Sequence, residues 1–303
     1  MATWSAPGKV FLFGEHAVVY GKSGLAMAIK PRVYVTVRRS HKPAKMNSPY
    51  IQECFQESGV QGSAYVHSQL PSSSGLGSSA AVTVATLCAI NDEFQLGLNR
   101  DQIADRAFGI EKAVQKGRAS PTDTYVSAWG GIVLISGGVK RRLPPHNFPL
   151  VIGNSRVSHN TSAMVEKVAN LKARFPAVID PLLDAIGALT ESALHLFNDY
   201  PQMGRCMNMN HALLEALGVG HPQLAKIVLS ARAAGAHGAK ITGAGGGGCI
   251  VVLCPQRLKN RIAGAVEACD AQAIITTLDT QGVRKERDER KSSPEAGRKR
   301  DHP

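Results

Sequence analysis

The chain has 303 residues, of which 44% are hydrophobic and 5% aromatic, and its formal net charge at pH 7 is +12. This length and apolar content allow a large buried core in one or two domains. The charge would suit a nucleic-acid binder, but eight of the 35 basic residues fall in the last twenty positions, and no basic stretch is interleaved with stacking rings. Composition therefore gives a nucleic-acid module weak support and suits anionic small-molecule substrates equally well.

Six cysteines occur without any C-x-x-C spacing, at positions 54, 88, 206, 249, 254 and 269. We expect them to be reduced core residues, and the scattered histidines argue against a zinc site. No run of about 18 apolar residues is present, and the first residues, MATWSAPGK, lack the order of a signal peptide. The expected protein is soluble and cytoplasmic.

In the first half of the chain, KVFLFGEHAVVYGKSGLAMAI predicts two short strands joined by a loop that contains Glu15 and His16. Residues 33–39 alternate between apolar and polar side chains and predict a further strand. A buried helix is expected at 80–94 and an amphipathic helix at 99–116, with Asn99 or Arg100-Asp101 near its cap. Residues 130–138 predict a buried strand, and VKRRLPPHNFP after it is the best candidate for a domain junction.

In the second half, a strand is predicted to start at Leu150, and helical periodicity dominates from 162 to 217 with breaks near Pro176, Pro181 and Pro201. The segment AKITGAGGGGCIVVLCP indicates a glycine loop leading into a strand, and AIITTLD a final strand. The last twenty residues have few apolar side chains and should be disordered. The predicted class is α+β with two lobes, at 1–148 and 149–283, followed by a disordered charged tail at 284–303.

The stretch PSSSGLGSSAA, residues 71–81, runs directly into the apolar helix VTVATLCAI. Its glycines let the backbone approach a ligand closely, and the following helix presents unpaired amides and the positive end of its dipole. This arrangement is typical of a phosphate cradle. The P-loop pattern G-x-x-x-x-G-K-[ST] is absent from the chain, so the cation that a nucleotide needs must come from another segment.

Two further glycine-bearing motifs, APGKVFLFGEHAVVYG and KITGAGGGGC, flank the cradle in the sequence. The three motifs in this order resemble the GHMP kinases, the galactose, homoserine, mevalonate and phosphomevalonate kinases, over most of residues 5–280. GEHAVVYG after PGK and the stretch SPTDTYVSAWGG are similar to the members that act on mevalonate, in their short archaeal form. The resemblance implies an N-terminal α/β lobe of the ribosomal-protein-S5-like type and a C-terminal ferredoxin-like α+β lobe.

The same resemblance implies ATP as co-substrate, Mg²⁺ as cofactor and a set of site residues. The catalytic pair would be Asp123, accepting the proton of the substrate hydroxyl, and Lys9, its ion partner. Ser79 and Glu111 would hold the metal, although one extra residue between Glu111 and Asp123, relative to the family, leaves the register of the glutamate open. The nucleotide phosphates would be held by Pro71, Ser72, Ser73, Ser74, Gly75, Leu76, Gly77, Ser78, Ser79, Ala80 and Ala81.

Besides the catalytic pair, the residues expected to contact the acceptor are Glu15, His16, Thr161, Thr242 and Gly243. The implied reaction transfers the γ-phosphate of ATP to the C5 hydroxyl of (R)-mevalonate, in a protein that is often a homodimer within the family. Alternatives are a relative acting on homoserine or phosphomevalonate, a decarboxylase of the same pathway, a nucleotide-binding regulator without activity, and a nucleic-acid binder. The presence of both Lys9 and Asp123 argues for an enzyme.

Overall fold

The structure is a computed structural model that describes residues 1–40, 48–71, 74–117, 119–158 and 160–286. The first half of the chain forms the following elements: strands β1 (Ala2–Phe13), β2 (Gly24–Arg39), β3 (Gly62–Ser68), β4 (Ile132–Ser136) and β5 (Val139–Leu143), and helices α1 (Pro49–Glu57), α2 (Ser78–Phe94), α3 (Arg100–Val114) and α4 (Pro121–Trp129). A 3₁₀ turn, Ala17–Tyr20, lies between β1 and β2.

The second half is richer in helix. Its elements are strands β6 (Leu150–Asn154), β7 (Gly238–Thr242), β8 (Cys249–Leu253), β9 (Gln272–Thr276) and β10 (Arg284–Lys285), and helices α5 (Thr161–Arg174), α6 (Pro176–Ala193), α7 (Tyr200–Ala216), α8 (Pro222–Ala233) and α9 (Lys259–Glu267). None of the helices in the described ranges is both long enough and apolar enough to cross a membrane.

The strands form two antiparallel sheets, which define two lobes. The first has the order β10-β1-β2-β4-β5, with β3 also pairing with β2, and the second has the order β7-β8-β6-β9. One large core packs α2 and its neighbouring helices against the first sheet, and a second core lies between the second sheet and helices α6 to α9. The predicted α+β class with two lobes is confirmed.

The segment after the first glycine motif differs from the prediction in its continuity. Residues 24–39 form the single strand β2, whereas two separate strands were expected there. Its register with β1 shifts between Pro7 and Gly8. Lys30 and Pro31 of β2 have no partner in β1 at this point, and the long strand bends there without interruption, because extra residues in one strand kink a ladder without ending it.

Prolines and turn residues explain several further differences. Pro181 lies inside α6 and does not break it; its missing N–H would have bonded to the carbonyl of Ala177, which lies in the exposed first turn and can reach water. Pro121 stands at the first position of α4, so the turn-like stretch SPTDT starts a helix. Sequence reasoning also missed β3, β5, α1, α8 and α9, and the glycine loop after Thr242 follows a strand as well as leading into one.

The predicted start of the disordered tail at residue 284 is wrong. Arg284 and Lys285 form β10 and pair with Ser5 and Trp4 of β1, since the edge of the first sheet offers free backbone groups. Residues 287–303 of the predicted tail lie outside the described residues. All six cysteines are buried and free, as expected for reduced core residues.

Candidate active site

A cavity of about 970 Å³ lies between the two lobes. One wall comes from β1, the cradle loop and α3, and the other from the start of α5 and the glycine loop after β7. The predicted site residues that line it are Lys9, Glu15, His16, Ser74, Gly75, Gly77, Ser78, Ser79, Glu111, Asp123, Thr161 and Gly243.

Lys9 connects the first two glycine motifs inside this cavity. Its backbone N–H donates to the Leu76 carbonyl at 2.9 Å, and its Nζ donates to the Gly75 carbonyl at 3.3 Å. The same Nζ lies 3.3 Å from Asp123 Oδ1. The lysine side chain is only 4% exposed, whereas that of Asp123 is 27% exposed. The ammonium is therefore fixed behind the loop, and the carboxylate is open to a substrate.

Asp123 is placed by the start of α4. Ser120 caps this helix by accepting a hydrogen bond from the Thr122 N–H, and Asp123 stands in the first turn. A helix N-terminus stabilises negative charge, and Lys9 adds a second stabilising interaction. The carboxylate of Asp123 therefore lies beside two positive groups, the N-terminus of α4 and the Lys9 ammonium.

The predicted phosphate cradle lies where α2 begins. Gly77 is the N-cap of α2 with a left-handed φ of 70°, and no acidic side chain lies in the first turn of the helix. Of the predicted cradle residues, Leu76, Ala80 and Ala81 are buried in the core and Pro71 does not line the cavity. Ser72 and Ser73 lie outside the described residues. The part of the cradle that faces the cavity is therefore residues 74, 75 and 77–79.

The side chains of Glu111 and Ser79 lie in contact, and both could offer oxygen atoms as metal ligands. Ser79 Oγ donates to Glu111 Oε2 at 3.0 Å, and Thr83 Oγ1 donates to Oε1 at 3.2 Å. Gln115 Nε2 also donates to Oε2, at 2.6 Å. Burial of the carboxyl group raises the pKa of Glu111 to about 7, and the negative charge of Asp123 adds to the rise. A cation bound here would relieve this buried charge.

Glu15 and His16 face the second lobe. Glu15 Oε1 accepts a hydrogen bond from Lys240 Nζ, within a fully buried ion pair. His16 Nε2 is 2.9 Å from the Ala244 carbonyl, and burial lowers the pKa of the imidazole, which favours its neutral form. His16 thus lines the cavity as a neutral hydrogen-bonding group, and Glu15 interacts mainly with the protein.

Two of the predicted acceptor residues in the second lobe occupy different environments. Thr242 does not line the cavity, because its hydroxyl accepts from the Phe11 N–H at 2.8 Å and donates to the Phe11 carbonyl at 3.2 Å. This corrects the expectation that the hydroxyl closes over a ligand. Gly243 does line the cavity, and a Cβ on it would lie 3.2 Å from the Gly75 carbonyl oxygen, so a side chain there would press on the cradle.

Several polar residues in and behind the cavity wall were not foreseen from the sequence, among them Lys240, which lies behind the wall. Lys140 and Gln115 line the cavity, as does Tyr50. Burial raises the pKa of the Tyr50 phenol, and Glu111 adds to the rise, whereas hydrogen bonds with Ser79 and Gln115 oppose it. The available signal for Lys240 was a lysine inside the apolar strand GAKIT, next to a glycine loop.

An anion cradle at a helix N-terminus, beside a lysine–aspartate pair in an interlobe cleft, is the arrangement of a small-molecule phosphotransferase. The chain belongs to the GHMP kinase family. The model described as "GHMP kinases N terminal domain" matches residues 45–131, and "GHMP kinases C terminal" matches residues 185–271. A third model, "Galactokinase galactose-binding signature", matches residues 2–39.

Individual relatives agree with this assignment. The chain is 35% identical to a mevalonate kinase of Thermococcus sibiricus, covering 92% of this chain and 97% of the relative. Among solved structures, L. major mevalonate kinase in complex with R-mevalonate has a TM-score of 0.82 at 23% identity, covering 92% of this chain and 96% of that one. Lactococcus lactis galactokinase with galactose has a TM-score of 0.79 at 18% identity, with coverage of 94% and 95%. The fold is therefore shared by kinases with different acceptors.

Proposed function

We propose that this protein transfers the γ-phosphate of ATP to the C5 hydroxyl of (R)-mevalonate, giving 5-phosphomevalonate. The observation that carries the proposal is the 3.3 Å approach of Lys9 Nζ to Asp123 Oδ1 in the cavity that also contains the cradle. The choice of acceptor is supported by the relative from Thermococcus sibiricus, which is named a mevalonate kinase and matches almost the full length of the chain.

In this mechanism Asp123 accepts the proton of the acceptor hydroxyl as its oxygen attacks the γ-phosphorus. General-base assistance of this kind contributes roughly 10² to 10⁴ in rate. Lys9 orients the carboxylate and stabilises negative charge developing on the transferred phosphoryl group. The amides of residues 77–79 hold the phosphates, which positions the donor for in-line attack.

The Ser79–Glu111 pair fits Mg²⁺. Magnesium prefers hard oxygen ligands and keeps several waters, so one hydroxyl and one carboxylate from the protein suffice. The raised pKa of Glu111, about 7, is consistent with a carboxylate whose burial is compensated only when a cation binds. The ion would neutralise charge on the phosphates, while Ser79 and Glu111 hold it beside the cradle.

Galactose is the acceptor of a second candidate function, because the galactose-binding signature matches residues 2–39, which include Lys9 and His16. Homoserine and phosphomevalonate are acceptors of other family members. These alternatives share the phosphate cradle and the catalytic pair, so they differ only in what occupies the rest of the cavity.

The deciding experiment measures ADP release with Mg²⁺-ATP and each of four acceptors: mevalonate, phosphomevalonate, homoserine and galactose. The proposal expects the highest kcat/KM with mevalonate, and phosphorus NMR should place the new phosphate on the primary alcohol. A higher kcat/KM with any other acceptor would replace mevalonate as the substrate. A chain that ends at residue 286 should keep full kinase activity, whereas a nucleic-acid binder that used its basic tail would lose its function.

Two further expectations belong with this proposal: a cytoplasmic location and a homodimeric state. Fractionation of the source cells tests the first. Light scattering coupled to size exclusion tests the second, with a mass of one 32.2 kDa chain as the contradicting result.

A further inference from the structure

Three contacts join the first glycine motif to the third across the two lobes. Phe11 bonds through its backbone to the Thr242 hydroxyl, Glu15 pairs with Lys240, and His16 bonds to the Ala244 carbonyl. We call this set the seam; its residues are Phe11, Glu15, His16, Lys240, Thr242 and Ala244. Phe11, Glu15, His16 and Ala244 also line the cavity, so the seam forms part of the cavity wall.

The ion pair is the most deeply buried part of the seam. The side chains of Lys240 and Glu15 are 0% and 1% exposed, and Lys240 Nζ also donates to the Ile241 carbonyl at 2.7 Å. Glu15 Oε2 is buried with no hydrogen-bond partner among the described residues. Two apolar residues of similar volume would commonly give equal or greater stability at such a position. The pair therefore calls for an explanation other than stability.

The neighbouring residue His16 gives a reason for the buried Glu15–Lys240 pair. It follows Glu15 directly and has a φ of 62°, a left-handed conformation that is rare for residues other than glycine. Such a conformation persists only where the surroundings fix it from several sides. Lys240 fixes Glu15, which restrains the backbone of the adjacent His16, and the Ala244 carbonyl fixes the imidazole ring of His16.

We propose that Lys240 is a positioning residue: by pairing with Glu15 it fixes His16 and the glycine loop at residues 243–244 where the acceptor binds. The inference rests on the proposed function for the identity of the acceptor. It assigns Glu15 an indirect role, through Lys240, in place of direct contact with the substrate. Lys240 touches neither the reacting atoms nor the nucleotide, so its loss should weaken acceptor binding more than ATP binding.

The test compares Lys240→Met, Glu15→Gln and the double variant Glu15→Gln/Lys240→Met by steady-state kinetics and thermal unfolding. Lys240→Met leaves a buried carboxylate unpaired and should lower the Tm. The double variant removes both charges and should recover most of that loss. We expect the acceptor KM to rise about 10 to 100-fold in every variant that folds, including the double variant, because small displacements of positioning groups are costly. The KM for ATP should stay within about twofold of the parent.

Asp279→Asn is the matched control. It breaks another buried ion pair, Arg32–Asp279, whose residues do not line the cavity, so it should lower the Tm and leave the acceptor KM unchanged. A folded double variant with the parental acceptor KM would overturn the inference, as would an equal rise in the KM for ATP. If Lys240→Met alone fails to fold, the double variant and Glu15→Gln decide. A parent enzyme that does not use mevalonate would instead refute the proposed function, and the acceptor found in its place would be used for the comparison.

Discussion

Lys9 Nζ lies 3.3 Å from Asp123 Oδ1, which brings the first strand of the chain and the first turn of α4 to the same point of the cavity. In the proposed mechanism, the role of each of these two residues depends on the other. A buried lysine needs a counter-charge, and an aspartate that accepts a proton must remain ionised beside a triphosphate.

Asp123→Asn should retain ATP binding and lower kcat by at least about a hundredfold, because the amide cannot accept the proton of the acceptor. ADP release gives the rate, and titration with a fluorescent nucleotide gives the affinity. Asp105→Asn, at an exposed position of α3 outside the cavity, should behave as the parent. Turnover by Asp123→Asn within about tenfold of the parent would remove the base from the mechanism.

Gly77→Ala should impair nucleotide use. The added Cβ would lie 2.9 Å from Lys9 Cγ and 3.3 Å from Lys9 Cε, and the left-handed φ of 70° adds roughly 1 to 2 kcal/mol of strain. We expect kcat/KM for ATP to fall about tenfold or more as Lys9 and the cradle are displaced.

Gly97→Ala is the matched control for that change. Gly97 has a φ of 74°, but a Cβ there would meet no atom within 4 Å. It should therefore lose similar stability and keep its activity. Equal kinetic losses in the two variants would show that backbone strain, and not the contact with Lys9, is responsible.

The raised pKa of Glu111 predicts an unusual pH dependence of stability for the protein without metal. Its pKa is about 7 in the folded state, above the ordinary value of 4.5, so the folded state holds a proton that the unfolded state has lost between these two pH values. Stability should therefore fall as pH rises from about 4.5 to 7, by on the order of 3 kcal/mol.

Urea unfolding in the presence of a chelator measures this change. Glu111→Gln should lack the fall, and Glu267→Gln, at an exposed position of α9, should retain it. The affinity for Mg²⁺ should rise with pH through about 7, because the metal requires the carboxylate. If the free energy of unfolding depended on pH in the same way in the parent and in Glu111→Gln, the pKa assigned to Glu111 would be contradicted.

The lowered pKa of His211 predicts the opposite dependence of stability on pH, in a lower pH range. Burial, with Arg232 and Lys240 nearby, lowers the pKa of its imidazole to about 4 from an ordinary 6.5. The unfolded state therefore binds an extra proton between these values, and stability should fall by about 3 kcal/mol as pH drops from 6.5 to 4. Unfolding curves of His211→Gln should lose this component, whereas those of His195→Gln, at an exposed position, should keep it. An unchanged pH dependence in His211→Gln would show that its protonation is not coupled to folding.

The parts of the fold that the sequence predicted are those with a local cause. The buried helix α2, the Asn99 cap of α3 and the strand at Leu150 follow from hydrophobic periodicity and capping chemistry, which act over a few residues. The continuity of β2 depends on packing partners distant in sequence, so no local pattern distinguishes it from a strand break. The helix begun by Pro121 did have a local signal, a capping serine followed by proline at the first helical position, although the stretch was interpreted as a turn.

In the candidate site, too, some residues were identified from the sequence, whereas the positions of others depend on partners distant in the chain. Lys9, Glu111 and Asp123 entered the hypothesis through the family resemblance, and the structure places them around one cavity. Thr242 and Lys240 could not be placed in advance, since their partners Phe11 and Glu15 lie 231 and 225 positions away. A strand lysine is ordinarily assumed to face water, and only the buried carboxylate opposite it explains its position.

The pairing of β10 with β1 has a consequence for biosynthesis. The first sheet is completed by residues that lie far along the chain from its other strands, and Arg32, buried in that lobe, finds its counter-charge on Asp279 at 2.5 Å. An N-terminal half emerging during translation would carry an uncompensated guanidinium in its interior. Maturation of the first lobe should therefore wait until residues 279–285 have emerged, and a nascent chain halted near residue 150 should remain protease-sensitive although every cradle residue is already made.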